Sequence, residues 1–166
     1  MNGKIIPTSQ TAKYLGMTLD AKLRWKVHLK TKREELGIKY QQTYWLLGRR
    51  STLSLRNKLV LYTQTLKPVW AYGIQLWGCA AQSTISVIQH FQNKVLRDIV
   101  NAPWYIRNTD LHRDLNMEMV TAAIRRFDRK REPRLHQHVN VEAIQLLENS
   151  ALLRRLKRTK PFELVR

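Results

Sequence analysis

The sequence predicts a mainly α protein, a helical bundle of about five or six helices preceded by a short β-hairpin. Apolar residues recur at intervals of three and four over long stretches, which is the signature of amphipathic helices. Strand-like segments are confined to the first twenty residues, and glycine, proline and small polar residues punctuate the helical stretches. At 166 residues, 43% of them hydrophobic, the chain has the size of one domain and can bury a core.

The opening "GKIIPTSQTAKYLGMTLD" reads as two strands, residues 4–6 and 13–18, joined by a polar turn containing Pro7, Thr8 and Ser9. Such a hairpin is marginal alone and is expected to lean on helices. From residue 25 to about 47, Trp25, Leu29, Leu36, Tyr40, Tyr44 and Leu47 form one apolar stripe, with Gly48 as the stop. Lys26, Lys30 and Arg33 share another face, where Glu34 can pair with Lys30.

Ser54 then caps a helix from residue 55. Leu55, Leu59, Tyr62, Leu66, Val69, Gly73 and Leu76 keep helical spacing through Pro68, which predicts one long helix kinked near the proline, with a carbonyl near Gln64 losing its donor. Trp70, Tyr72 and Trp77 surround that stripe, and Gly73 lets a neighbour approach closely. The rings read as core anchors in preference to a base-stacking platform, with Lys58 and Lys67 reaching outward.

A further helix is expected over residues 84–100, capped by Ser83, ended by Asn101 and Pro103, with Ile88, Phe91, Val95 and Ile99 inward. His90, Lys94 and Arg97 lie on a different face. A short helix over 109–115 follows, then one from about 117 with Val120, Ile124 and Phe127 inward, kinked or ended by Pro133. "VEAIQLLENSALLRRLKR" suggests one more, with a basic tail.

Thirty Lys and Arg against twelve Asp and Glu give a formal charge of +18. An excess of this size calls for a polyanion, nucleic acid first. A membrane surface is the weaker reading, since the polar helix faces are not uniformly basic. No run reaches the length of a membrane span and no secretory leader is recognisable, so an intracellular place is expected. The single Cys79 excludes an internal disulfide and a Cys-pair zinc site. Phosphate-loop and nucleophile-elbow motifs are missing, the aspartates are scattered, and His136 and His138 would point apart on a helix. Neither catalysis by this chain alone nor a bound metal is expected.

Three segments stand in order: "KYLGMTLDAKLRW", "YWLLGRRSTLSLRNKLVLYTQTLKPVWAYGIQLWG" and "FQNKVLRDIVNAPWYIRNTDLHRDL". Together, over about residues 13–115, they resemble the C-terminal part of reverse transcriptases (RNA-directed DNA polymerases) of non-LTR retrotransposons of the jockey type. The resemblance implies an end-of-palm hairpin over residues 1–20, a thumb-like helical domain over 21–115 and a C-terminal helical extension with a basic tail over 116–166. It implies RNA template and DNA primer as partners, together with the palm and fingers of the same polyprotein. No membrane partner is implied, and the parent element is expected in the nucleus at integration.

Tyr14, Leu15 and Gly16 would sit near the primer end, and Lys26, Lys30, Arg33, Arg49, Arg50, Lys58, Lys94 and Arg97 would meet phosphates. A divalent metal such as Mg belongs to the missing palm, so this chain is expected to hold no cofactor, and one cysteine cannot build the zinc motif of some related elements. Met1 is then expected to open a fragment. The alternatives are a free-standing helical nucleic-acid-binding module and a non-functional remnant of a decayed element.

Overall fold

The computed structural model describes residues 9–136. A β-hairpin opens the described chain, β1 (Thr11–Tyr14) and β2 (Met17–Asp20), antiparallel, with Thr11 opposite Asp20 and Tyr14 opposite Met17. Residues 13–18, expected as one strand, are instead the end of β1, a two-residue turn and the start of β2. Leu15 (φ 45°) and Gly16 (φ 72°) both adopt the left-handed region, the connection whose twist matches paired strands. Leucine is a costly residue there, and the Tyr72 hydroxyl holds it by donating to the Leu15 carbonyl at 2.7 Å. The expected strand at residues 4–6 lies outside the described residues.

The hairpin does lean on helices. Met17 is buried, and the Thr18 N–H donates to His28 Nδ1 at 3.3 Å. After β2 the Asp20 carboxylate accepts from the N–H groups of Lys22, Arg24 and Trp25. That clasp holds a loop in which Leu23 and Trp25 take positive φ, and it feeds directly into α1 (Lys26–Leu47). As the stripe predicts, α1 buries Leu29, Leu36, Tyr40 and Leu47, with His28 beside them and Trp25 just before. The Gly48 N–H closes the helix on the Tyr44 carbonyl, while Tyr44 itself is exposed. On the polar face Lys32 pairs with Glu35 at 2.9 Å.

Burial, and then the charge of Lys32, push the His28 imidazole below its ordinary pKa. Its Nδ1 accepts a backbone hydrogen bond, so the neutral ring is the form that fits. A group harder to protonate in the fold than in the unfolded chain adds stability above its unfolded pKa, about 6.5. That stability is lost as pH falls below this value toward the lower folded pKa. The denaturant midpoint is therefore expected to drop between pH 7 and pH 5, and to drop less in His28→Gln.

The long helix expected from residue 55 is three: α2 (Leu55–Thr65), α3 (Lys67–Ala71) and α4 (Ile74–Trp77). Ser54 caps α2 as predicted, its Oγ accepting from the Asn57 N–H at 3.3 Å. Pro68 does not kink a continuous helix. It occupies the first turn of α3, where its missing N–H costs nothing. The larger break is at Gly73, whose φ of 67° starts α4 afresh. The apolar phase shifts there: Ile74 and Trp77 are buried, whereas Leu76, in the predicted stripe, is exposed, as is Leu55. Trp70 and Trp77 are fully buried, as a core role requires, and Tyr72 is half exposed. Burial pushes the Tyr62 phenol up to about 12, and its oxygen accepts from Trp70 Nε1 at 3.4 Å.

Next come α5 (Gln82–Val100), α6 (Asn108–Asp114) and α7 (Val120–His136). α5 starts on Ala81 without a side-chain cap, so Ser83 lies inside the first turn. Its end is as predicted, on Asn101 in the left-handed region. Ile88, Phe91, Val95 and Ile99 all point inward. Pro133 falls within α7, which runs on to His136 without ending at the proline. The helix expected after it lies outside the described residues.

α5 is the axis of the bundle, in contact with α1, α2, α6 and α7, while α7 also packs on α4. A polar strut joins these pieces. The Val120 N–H donates to Gln89 Oε1 at 2.8 Å, so the Gln89 amide nitrogen donates to Asn93 Oδ1, also at 2.8 Å. His112 bridges Asn93 and the Met117 carbonyl, both at 2.8 Å. Glu118 receives Lys67 Nζ at 2.7 Å and the Arg126 guanidinium at 2.8 and 2.9 Å. Arg126, then Lys67, hold the Glu118 carboxyl below its usual range, and Glu118 holds Arg126 above its own. The fold class the sequence predicts, a helical bundle behind a β-hairpin, is the one observed.

Candidate nucleic-acid interface

Acidic residues are few, and those in the described bundle are largely engaged within it. Asp20 clasps backbone, Glu118 joins α3 to α7, and Asp98 accepts from the Tyr40 hydroxyl at 2.7 Å. Asp110 and Asp114 face Arg113, and Glu35 faces Lys32. The cationic excess is thereby left to the surface, where it dominates the field around the protein.

Four of the candidate cations are exposed and form no ion pair among the described residues: Lys26, Lys30, Arg50 and Lys94. Arg33 is half-buried, its guanidinium 4.7 Å from the Phe91 ring centroid. Arg49 is exposed but shares its charge with Asp98 at 3.5 Å. Two candidates are corrected. Lys58 is 5% exposed, and its ammonium donates to the Gly48 carbonyl at 3.0 Å, tying α2 to the end of α1. Arg97 donates through Nε to Asn108 Oδ1 at 3.1 Å and through Nη1 to the Pro103 carbonyl at 2.9 Å, with Nη2 on the Ile106 carbonyl. Both are spent on loops of the protein, because a carbonyl outside a helix's own turns can claim a cation that periodicity places on a free face. Lys67, expected outward, is likewise held by Glu118.

Tyr14, Leu15 and Gly16 are exposed at the hairpin turn, on the Tyr72 side of the bundle. Lys32 also approaches the Tyr72 ring, so this turn lies near the N-terminal part of α1, where Lys26 and Lys30 sit. Along the α1–α5 contact the numbering rises together: Arg33 and Tyr40 meet Phe91, and Tyr40 and Arg49 meet Asp98. Arg49 and Arg50 are therefore at the far end of α1 from Lys26 and Lys30, about 30 Å away at the rise of an α-helix.

At that far end Arg49, His90, Lys94, Trp104 and Asn108 line a groove of about 550 Å³. The structure thus brings Arg49 and Lys94 together and leaves Lys26 and Lys30 as a separate group near the hairpin. Trp104 (89% exposed) and the neighbouring Tyr105 were not singled out from sequence. The available signal was "APWYIRN", two rings placed after a helix stop where they join no apolar stripe. Among the described residues no three His, Cys, Asp or Glu side chains converge as a metal site, and no helix is long and apolar enough to cross a membrane.

No family model matches the chain, and no solved structure does. Among curated proteins it is 43% identical over 158 residues to the probable RNA-directed DNA polymerase from transposon BS of Drosophila melanogaster, covering 95% of this chain and 17% of that protein. It is 44% identical over 160 residues to the probable RNA-directed DNA polymerase from transposon X-element of the same species, covering 96% of this chain and 18% of the relative. Against the RNA-directed DNA polymerase from mobile element jockey of Drosophila melanogaster it is 36% identical over 172 aligned positions, covering 99% and 19%. The chain spans less than a fifth of the length of these relatives.

Proposed function

From a chain homologous over nearly all its length to a part of the RNA-directed DNA polymerases of mobile elements, jockey among them, we propose a thumb-like function: backbone grip on template and primer, without the catalytic palm. The observation that carries the reading is the division of charge, with most acidic side chains engaged in contacts of the bundle's own residues and lysines and arginines left at both ends of α1. Two basic groups about 30 Å apart are separated by roughly one turn of a duplex. Cations on rigid helices meet phosphates whatever the base sequence, which is what a polymerase needs as its hybrid advances.

The hairpin supports the same reading. It is a sheet of only two strands among the described residues, and since the outward Thr18 N–H of β2 is taken by His28, the edge without a partner among these residues is that of β1, with Tyr14 and Leu15 exposed at the turn. Open edges invite pairing with further strands. An upstream palm is the occupant that the homology suggests. A free-standing module would have reason to cover it.

Fluorescence anisotropy of labelled RNA:DNA hybrid, duplex DNA and single strands, repeated over a salt series, tests the grip. Affinity is expected to be independent of sequence and to fall linearly on logarithmic axes as salt rises. Lys30→Ala and Lys94→Ala should each weaken binding uniformly and reduce the salt slope by about 1. Salt-independent binding, unchanged binding in both variants, or primer extension by this chain alone would overturn the proposal.

A further inference from the structure

Trp104 is the residue whose exposure the fold does least to explain. At 89% exposed, its indole meets water on nearly every side, although the bundle buries three other tryptophans. Its loop is not slack. Arg97 donates to the carbonyls of Pro103 and Ile106 on either side of the ring and to Asn108 at the start of α6, and Asn101 locks the exit from α5. Tyr105 stands edge-on to Trp104, with centroids 6.0 Å apart, which limits how the indole can turn. The ring is thus held out by a built loop, at the mouth of a groove whose other walls include Arg49, His90, Lys94 and Asn108.

We propose that this groove takes an unpaired nucleotide of a single strand, its base stacked on Trp104 and its phosphates held by Lys94 and Arg49. The inference rests on the nucleic-acid reading above and adds a site to it. Within a duplex each base is stacked between its neighbours and offers a projecting ring no face, whereas an unpaired base offers one. Charge settles the class of occupant. Ala102 and Trp104 are the apolar members of the lining, and the remainder is polar or charged with cations in excess, which suits an anionic strand better than an apolar protein face.

The test compares a blunt RNA:DNA hybrid with the same hybrid carrying a single-stranded overhang, and with an overhang of abasic sites. The wild-type chain is expected to prefer the normal overhang by roughly 5- to 150-fold, the range for stacking one base on an aromatic ring. Trp104→Ala should abolish that preference and leave the blunt hybrid unchanged, and Trp104→Phe should retain most of it. Because the ring packs so little, both variants are expected to fold, which circular dichroism verifies. The proposal is overturned if the overhang adds nothing, if the abasic overhang binds equally well, or if Trp104→Ala weakens blunt and overhang ligands alike. Should blunt hybrid fail to bind, the grip on a duplex falls, while the isolated overhang strand still reads the groove through the same variants.

Discussion

Trp77→Ala is expected to lower the free energy of unfolding by about 3 to 5 kcal/mol, the cost of removing a fully buried tryptophan. The side chain has no exposed surface, and its Nε1 donates to the Tyr72 carbonyl at 3.0 Å, so the variant leaves both a cavity and an unanswered carbonyl at the α3–α4 junction. Against a total stability of roughly 5 to 15 kcal/mol for a domain, the loss is large. Urea titration at neutral pH measures it. Nucleic-acid affinity, read where both proteins are folded, should not change. Lost affinity with an unchanged urea midpoint would move Trp77 from the core to the interface.

The second large effect is expected at Gly73. Alanine there must keep a φ of 67°, and its Cβ would stand 2.6 Å from Met17 Sδ. Left-handed strain of about 1 to 2 kcal/mol and overpacking of about 1 to 3 kcal/mol combine to a loss of about 2 to 5 kcal/mol. The steric part is separable. In a double-mutant cycle with Met17→Ala, the two losses should fall short of additive, because the smaller side chain makes room for the new methyl group. Strict additivity would place the hairpin away from α4.

α1 and α5 were legible in sequence because each carries a continuous apolar stripe and ends on a residue suited to the left-handed or closing position, Gly48 or Asn101. The turn at Leu15 and Gly16 was not. Gly16 alone signals it, and Leu replaces the Asn or Asp that usually marks such a turn; the stabilising Tyr72 hydroxyl comes from 57 residues away. The expected kink at Pro68 weighed the proline as a breaker in mid-helix, whereas the chain uses it as a starter, and the break falls to Gly73.

Surface position was legible where no partner intervened, as for Lys26, Lys30 and Lys94. It was misread where a distant carbonyl did, as for Lys58 and Arg97. Trp104 escaped notice for the opposite reason, since a ring outside any periodic stripe gives pattern reading nothing to count.

The placement of the five tryptophans gives the protein two sets of natural fluorophores. Trp25, Trp70 and Trp77 lie in the core, while Trp45 and Trp104 face solvent. The buried set should emit at shorter wavelength and resist acrylamide, and the exposed set should emit to the red and be quenched readily. Denaturation would then be seen as a red shift of the first set, and a strand settling on Trp104 as protection within the second, so folding and occupancy become separable signals in one unlabelled sample.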